Sequence, residues 1–165
     1  MAKTSESKTA AAGFDGIDRR ILELLQRDSL IANQDLAERV GLSPPACLKR
    51  VRRLRETGVI ERSVALVSPR LAGLPLLTVI RVKLELHVKN AATRFEKLMA
   101  AEPRVQQCMM VAGEFDYILL VRSRDVGHYQ EFAREVLASA PGIRSYASEI
   151  VLSVSKSTTE IPIGG

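Results

Sequence analysis

Residues 33–55 read NQDLAERVGLSPPACLKRVRRLR, and the punctuation of this stretch decides the architecture of the first half of the chain. Asn33 is a good N-cap for a short helix that buries Leu36, Ala37 and Val40. Gly41 then falls where a helix ends on a left-handed residue. Ser43-Pro44 restarts a helix at once, with Ser as N-cap and Pro at the first helical position, where its missing N–H costs nothing. Helix, glycine turn and helix within about twenty residues make a helix-turn-helix unit.

The helix after the turn indicates what the unit is for. At 100° per residue, Cys47, Leu48, Val51 and Leu54 gather on one side and are expected to face the other helices. Pro45, Ala46, Lys49, Arg52 and Arg53 point the other way, with Arg50 on the flank. Small residues at a helix start allow close approach to base edges, and Arg or Lys further along can bond guanine or neutralise phosphate. A merely solvated face usually mixes signs, whereas residues 49–55 hold five basic residues among seven and only Glu56 breaks the run. A membrane-surface helix would need exposed bulky apolar residues on its other face.

Working outward, residues 15–28 carry Ile17, Ile21, Leu22, Leu24 and Leu25 at the spacing of an amphipathic helix. Gly58 ends the basic helix, residues 59–67 suggest a strand pair or wing-like extension, and residues 68–75, with two prolines and Gly73, form a linker. Beyond it the pattern changes. Residues 78–88 alternate Ile80, Val82, Leu84 and Leu86 with Arg81, Lys83, Glu85 and His87, the period of a strand with one wet side. A helix over 91–101 follows, with Phe95, Leu98 and Met99 inward. Strands over 105–112 and 116–123 flank Gly113-Glu114-Phe115, and a second helix over 126–138 buries Tyr129, Phe132, Val136 and Leu137. Pro141-Gly142 turns the chain into a last strand from Ile143 to about Lys156. That order is the ferredoxin-like βαββαβ arrangement, with both helices on one face of an antiparallel sheet. Pairing of two chains through the helix-free face would cover it and suit paired DNA half-sites.

The bulk properties agree with this division. The net charge of +5 is uneven: residues 1–75 hold 13 Lys/Arg against 9 Asp/Glu, and residues 76–165 hold 11 against 10. A basic half suggests a polyanionic partner. The 46% apolar content supports a packed core, and no apolar run approaches a membrane span. Residues 1–13 are polar and Ala-rich, a loose tail without the apolar region of a signal peptide. Cys47 and Cys108 fit no zinc or CxxC spacing and are expected to be buried free thiols in a reducing cytoplasm.

In the second half the residues offer one candidate site. Gly113-Glu114-Phe115-Asp116-Tyr117 sets two carboxylates and a glycine at a strand-to-strand turn. An ordinary hairpin with solvated acids would look the same. The functional alternative has Asp116 facing the ammonium of a small zwitterion while backbone N–H groups face its carboxylate. His87 and His128 are expected to be surface residues.

The stretches IDRRILELLQRDSLIANQDLAERVGLSP, CLKRVRRLRETGVI, VAGEFDYILLV and APGIR together resemble the Lrp/AsnC family of bacterial regulators, over roughly residues 14–156. The resemblance implies dimers formed through the C-terminal domain, tetramers or octamer-like rings, wrapped or bent DNA, and an amino acid bound between C-terminal domains. Carried over by motif, the helix-turn-helix spans residues 33–52, with Asn33, Gln34, Ser43, Pro45, Ala46, Lys49, Arg50, Arg52 and Arg53 as DNA-contacting candidates. Gly113, Glu114, Asp116 and Tyr117 would help line an effector pocket, and Met110, Val126, Ser148 and Ile150 match positions that tune the ligand response. Pro45 stands where the leucine-responsive member has Thr, and Lys49 where it has an acid, so the preferred DNA sequence should differ. Glu114 where Asp is frequent, and Glu149 within an otherwise apolar strand, bear on which effector is bound.

The expected fold is α+β: a tail over 1–13, a winged helix-turn-helix domain over 14–67, a linker over 68–75, a ferredoxin-like domain over 76–156 and a tail over 157–165. Expected partners are double-stranded DNA, further copies of the chain and a small-molecule effector, with no membrane, metal or cofactor. A ligand-independent DNA-compacting protein is the alternative. An enzyme using Glu114 and Asp116 as acid and base is disfavoured, because the chain lacks a plausible nucleophile–base pair, metal cluster or phosphate loop.

Overall fold

The computed structural model describes residues 13, 15–85, 90–140 and 142–163. They form two compact units: the described residues up to Ala65 join those from Lys156 onward in the first, and Leu66–Ser155 make the second.

The first unit holds α1 (Gly16–Arg27), α2 (Asn33–Val40) and α3 (Pro44–Glu56). A capping box starts α1: the Asp15 carboxylate accepts from the Asp18 N–H at 2.9 Å, and the Asp18 carboxylate accepts from the Asp15 N–H at 3.2 Å. Ile21, Leu22, Leu36, Ala37, Cys47, Val51 and Leu54 pack into one core. Gly41 ends α2 at φ 69°, a left-handed conformation that favours glycine. Ser43 and Pro44 open α3 as expected, although the Ser43 side chain makes no capping bond.

Three expectations are corrected in this unit, and one is narrowed. Asn33 is the first helical residue of α2 rather than its N-cap, which is Ala32; its side-chain amide donates instead to the Pro44 carbonyl at 2.9 Å, tying the two helix starts together. Leu48 is 37% exposed, because only Cys47, Val51 and Leu54 point squarely at the core. Residues 59–67 join no ladder with the described residues, so of the two forms expected there the strand pair is absent and the wing-like extension stands. An isolated two-stranded ribbon is marginal, and this segment has no glycine or asparagine to turn one. Finally, residues 157–163, expected as a tail, belong to the first unit. The Gln26 amide accepts from the Ile161 N–H at 2.7 Å and donates to the Ile161 carbonyl at 3.1 Å, Arg27 pairs with Glu160 at 3.3 Å, and Ile163 packs on the helical core.

The second unit runs β1 (Leu76–Leu84), α4 (Ala91–Ala101), β2 (Val105–Met110), β3 (Tyr117–Ser123), α5 (Val126–Phe132) with a wider π-helical continuation (Ala133–Leu137), and β4 (Ile143–Ile150). The sheet order is β2-β3-β1-β4 with every pair antiparallel, the ferredoxin-like topology. Thr78, Ile80, Val82 and Leu84 of β1 and Tyr117, Leu119, Val121 and Ser123 of β3 are buried on one face. Phe95, Met99, Phe132, Val136 and Leu137 cover that face. Leu98 stays 37% exposed, against the inward placement expected for it, whereas Tyr129 is half-buried and packs against this core. Of the two cysteines, Cys47 is buried but Cys108 is exposed on β2, a correction to the expected pair of buried thiols.

The outer strands are shorter than their patterns suggest. β4 stops at Ile150 rather than near Lys156, because its last bond, Val151 N–H to Leu77 carbonyl at 2.9 Å, reaches the start of β1 and leaves no partner beyond. β2 and β3 stop at Met110 and Tyr117, where the turn takes over. The expected strand residues 86–88 and the turn residue Pro141 lie outside the described residues.

Candidate nucleic-acid interface and effector cleft

The surface of α3 divides into braced and free cations. Asp18 is 1% exposed, although it is an acid. Its Oδ1 accepts from Arg50 Nη1 at 3.0 Å and its Oδ2 from Arg53 Nη2. Arg50 Nη1 also donates to Asp15 Oδ2 at 2.7 Å. The Asp15 carboxyl lies below its ordinary range, first through the Asp18 backbone N–H and then through Arg50. The same two carboxylates raise the Arg50 guanidinium. Lys49, Arg52 and Arg55 are exposed, and among the described residues none has an ion-pair partner. Gln34, Ser43 and Pro45 are exposed and Ala46 half-buried, so the start of α3 is open and small.

Sequence reasoning missed Asp18, and the signal was present. Asp18, Ile21, Leu22 and Leu25 follow the i, i+3, i+4, i+7 rule, which places an acid on the apolar stripe of α1. A carboxylate there must be paired.

In the second unit a cleft of about 370 Å³ opens at one end of the sheet, lined by Leu84, Glu85, Asn90, Ala91, Ala92, Met110, Val111, Asp116 and Tyr117. Met110 and Tyr117 face each other across β2 and β3. Asp116 is partly committed to the backbone: Oδ2 accepts from the Leu84 N–H at 2.7 Å, and its N–H donates to the Val82 carbonyl at 2.9 Å. The Tyr117 hydroxyl donates to Glu96 at 2.7 Å, and burial together with that carboxylate pushes its pKa far up. Gly113 and Glu114 sit exposed in the turn closed by Val111 N–H to Asp116 carbonyl at 2.9 Å, and neither lines the cleft.

The other effector candidates lie elsewhere. Ser148 and Ile150 are on β4, the opposite edge of the sheet from Met110, beside Ile80 and Thr78 of β1. Ser148 accepts from the Tyr129 hydroxyl, and Val126 opens α5 after β3 ends. One chain therefore holds the eight candidates in separate groups. Glu149, on the mixed strand β4 that also holds Arg144, pairs with Arg81, whose guanidinium lies 4.9 Å over the Phe115 ring. Among the described residues no group of three or more His, Cys, Asp or Glu could hold a metal, and no helix is long and apolar enough to cross a membrane.

Comparison with known proteins matches both units. Residues 14–61 match the family model for winged helix-turn-helix DNA-binding domains, and residues 77–161 match that for the Lrp/AsnC ligand binding domain. The leucine-responsive regulatory protein of Haemophilus influenzae is 36% identical over 156 residues, covering 94% of this chain and 93% of that protein. The DNA-binding transcriptional activator DecR of Escherichia coli is 36% identical over 150 residues, covering 91% and 99%. A transcriptional regulator from Neisseria meningitidis, solved as its L-Met complex, superposes with a TM-score of 0.88 at 34% identity, covering 90% of this chain and 96% of the other. With both models matched in order and relatives aligned along nearly its whole length, the chain belongs to the Lrp/AsnC family of transcriptional regulators.

Proposed function

We propose that this chain is an amino-acid-responsive regulator that reads DNA with α3 and assembles through the helix-free face of its sheet. The observation that carries the DNA reading is the free cationic face of α3, Lys49, Arg52 and Arg55, following an open, small helix start. Lys49, Arg52 and the half-open Arg53 supply phosphate and base contacts, Gln34, Ser43, Pro45 and Ala46 line the approach, and Asn33 and Arg50 hold the frame. On the helix-free face, Leu77, Val79, Ile118 and Leu120 are half-buried and Met109 is 40% exposed, an apolar strip that a second copy would cover. Two copies place two recognition helices on successive half-sites.

An amino acid is the effector we favour, supported by the structural relative that was solved with L-Met. The cleft bounded by Met110, Asp116 and Tyr117 is one part of its site. Ser148 and Ile150 lie on the other edge and Val126 at the start of α5, so a site that joins the cleft to the β4 edge takes the two from different copies. Such a ligand shifts assembly only by its differential affinity for the assembled states.

Fluorescence anisotropy on the DNA upstream of the chain's own gene, against a scrambled duplex, tests the reading. Preference for the upstream duplex, with a salt slope of about −0.9 per neutralised phosphate, supports it. Equal binding favours a DNA-compacting role, and absence of binding to either overturns it. Adding single amino acids to the same titration then identifies the effector.

A further inference from the structure

We propose that Asp18 is a positioning residue for DNA recognition: buried beneath α3, it sets the Arg53 guanidinium before DNA arrives and, with Asp15, holds Arg50 as a brace. This deepens the DNA reading above and rests on it.

Asp18 offers both oxygens to the recognition helix, Oδ1 to Arg50 and Oδ2 to Arg53, at 1% exposure. A carboxylate so far from water must stay paired, so both arginines are pinned from below. The two differ in what remains free. Arg50 is 27% exposed at its side chain, and the same Nη1 serves two carboxylates, which suits a strut. Arg53 is 52% exposed and gives Asp18 one nitrogen, leaving other donors of the planar fork open. A pinned guanidinium has little side-chain freedom left to lose when it meets a base edge. Lys49, Arg52 and Arg55 have no such anchor among the described residues, and suit phosphates, which reward charge more than geometry.

The two kinds of contact predict a separable effect. Asp18→Asn keeps the shape, removes a negative charge beneath α3 and releases Arg53. Affinity for a scrambled duplex should hold or rise, while affinity for the upstream duplex falls, so their ratio drops at least tenfold. A merely structural role would lower both affinities in parallel with the folded fraction. Arg53→Lys is the second variant, since it keeps the charge and a donor to Asp18 but removes the fork; its ratio should drop likewise.

The experiment is anisotropy of the full chain and both variants on both duplexes, beside thermal melts. A falling ratio in a cooperatively melting protein supports the proposal. If Asp18→Asn does not fold, Arg53→Lys decides in its place. Wild-type ratios in the folded variants overturn the role of Asp18 while leaving the regulator reading intact. A wild-type chain that binds both duplexes equally overturns the regulator reading itself, and Asp18's role with it.

Discussion

Arg50 and Arg52 are two positions apart on α3 and meet opposite surroundings. Arg50 neutralises Asp15 and the buried Asp18, whereas Arg52 is exposed and unpaired among the described residues. Removing Arg50 leaves the buried Asp18 carboxylate to Arg53 alone, so Arg50→Ala should lower the melting temperature of the first unit by roughly 5 °C. Arg52→Ala should leave it within about 2 °C and instead reduce the salt slope of DNA binding by about 0.9. Melts beside salt titrations check both, and equal melting losses would remove the distinction. Acid should act on this corner and, separately, on the end of α4 in the second unit. The folded-state pKa values of Asp15 and Glu102 are depressed, the latter chiefly by the hydrogen bond from Arg104. The stability they add is complete above about pH 4.5 and is lost as pH falls through the lowered values. Melting temperatures between pH 6 and pH 3 should drop, and Asp15→Asn should flatten part of that drop. At this scale the sequence showed which residues were cationic, since helical periodicity fixes which way they point. It did not show which were occupied, because the partners of Arg50 and Arg53 lie on another helix more than thirty positions earlier.

The elements were legible wherever a local signal dictates backbone conformation. Gly41 adopts the left-handed φ of 69° that its place after α2 implied. Gly41→Ala should therefore cost about 1 kcal/mol in denaturant unfolding although no atom lies within 4 Å of the added carbon. Gly16→Ala, in the open first turn of α1 and without positive φ, should gain a few tenths of a kcal/mol. A matching loss at both positions would contradict the backbone argument. What the pattern missed depends on partners distant in sequence. Residues 59–67 carry strand-forming residues, with Val64, Leu66 and Val67 all more than half exposed, yet form no ladder with the described residues. The length of β4 is likewise set by where β1 begins, not by the apolar residues Leu152 and Val154 further on. The candidate effector site divides in the same way: alternation identified the strands, but sheet order put Met110 and Ser148 on opposite edges.

At the scale of the whole molecule, the chain enters the second unit near Leu66, leaves it near Ser155, and ends back in the first. The C-terminal segment is thus part of the helical domain. Deleting residues 156–165 removes the two Gln26 bonds, the Arg27–Glu160 pair and the Ile163 contact. The cost should be on the order of 1–2 kcal/mol in the first unit, read as a lower midpoint for its transition alone. No tail pattern in the sequence predicted this, because the docking rests on scattered side chains, Gln26, the Arg27–Glu160 pair and Ile163. In the proposed assembly the pairing surface belongs to the other unit. Leu120 and Val79 face each other on neighbouring strands on the side away from the helices, where they are only half-buried. A charge there meets water in a single copy but would be buried without a partner between two. Leu120→Lys should therefore leave the melting of an isolated chain little changed, convert the sedimenting species to a monomer, and weaken binding to a DNA carrying two half-sites far more than to one carrying a single half-site. If the variant sediments like the unaltered chain, the copies associate through a surface other than this strip, and the pairing of recognition helices must be sought from there.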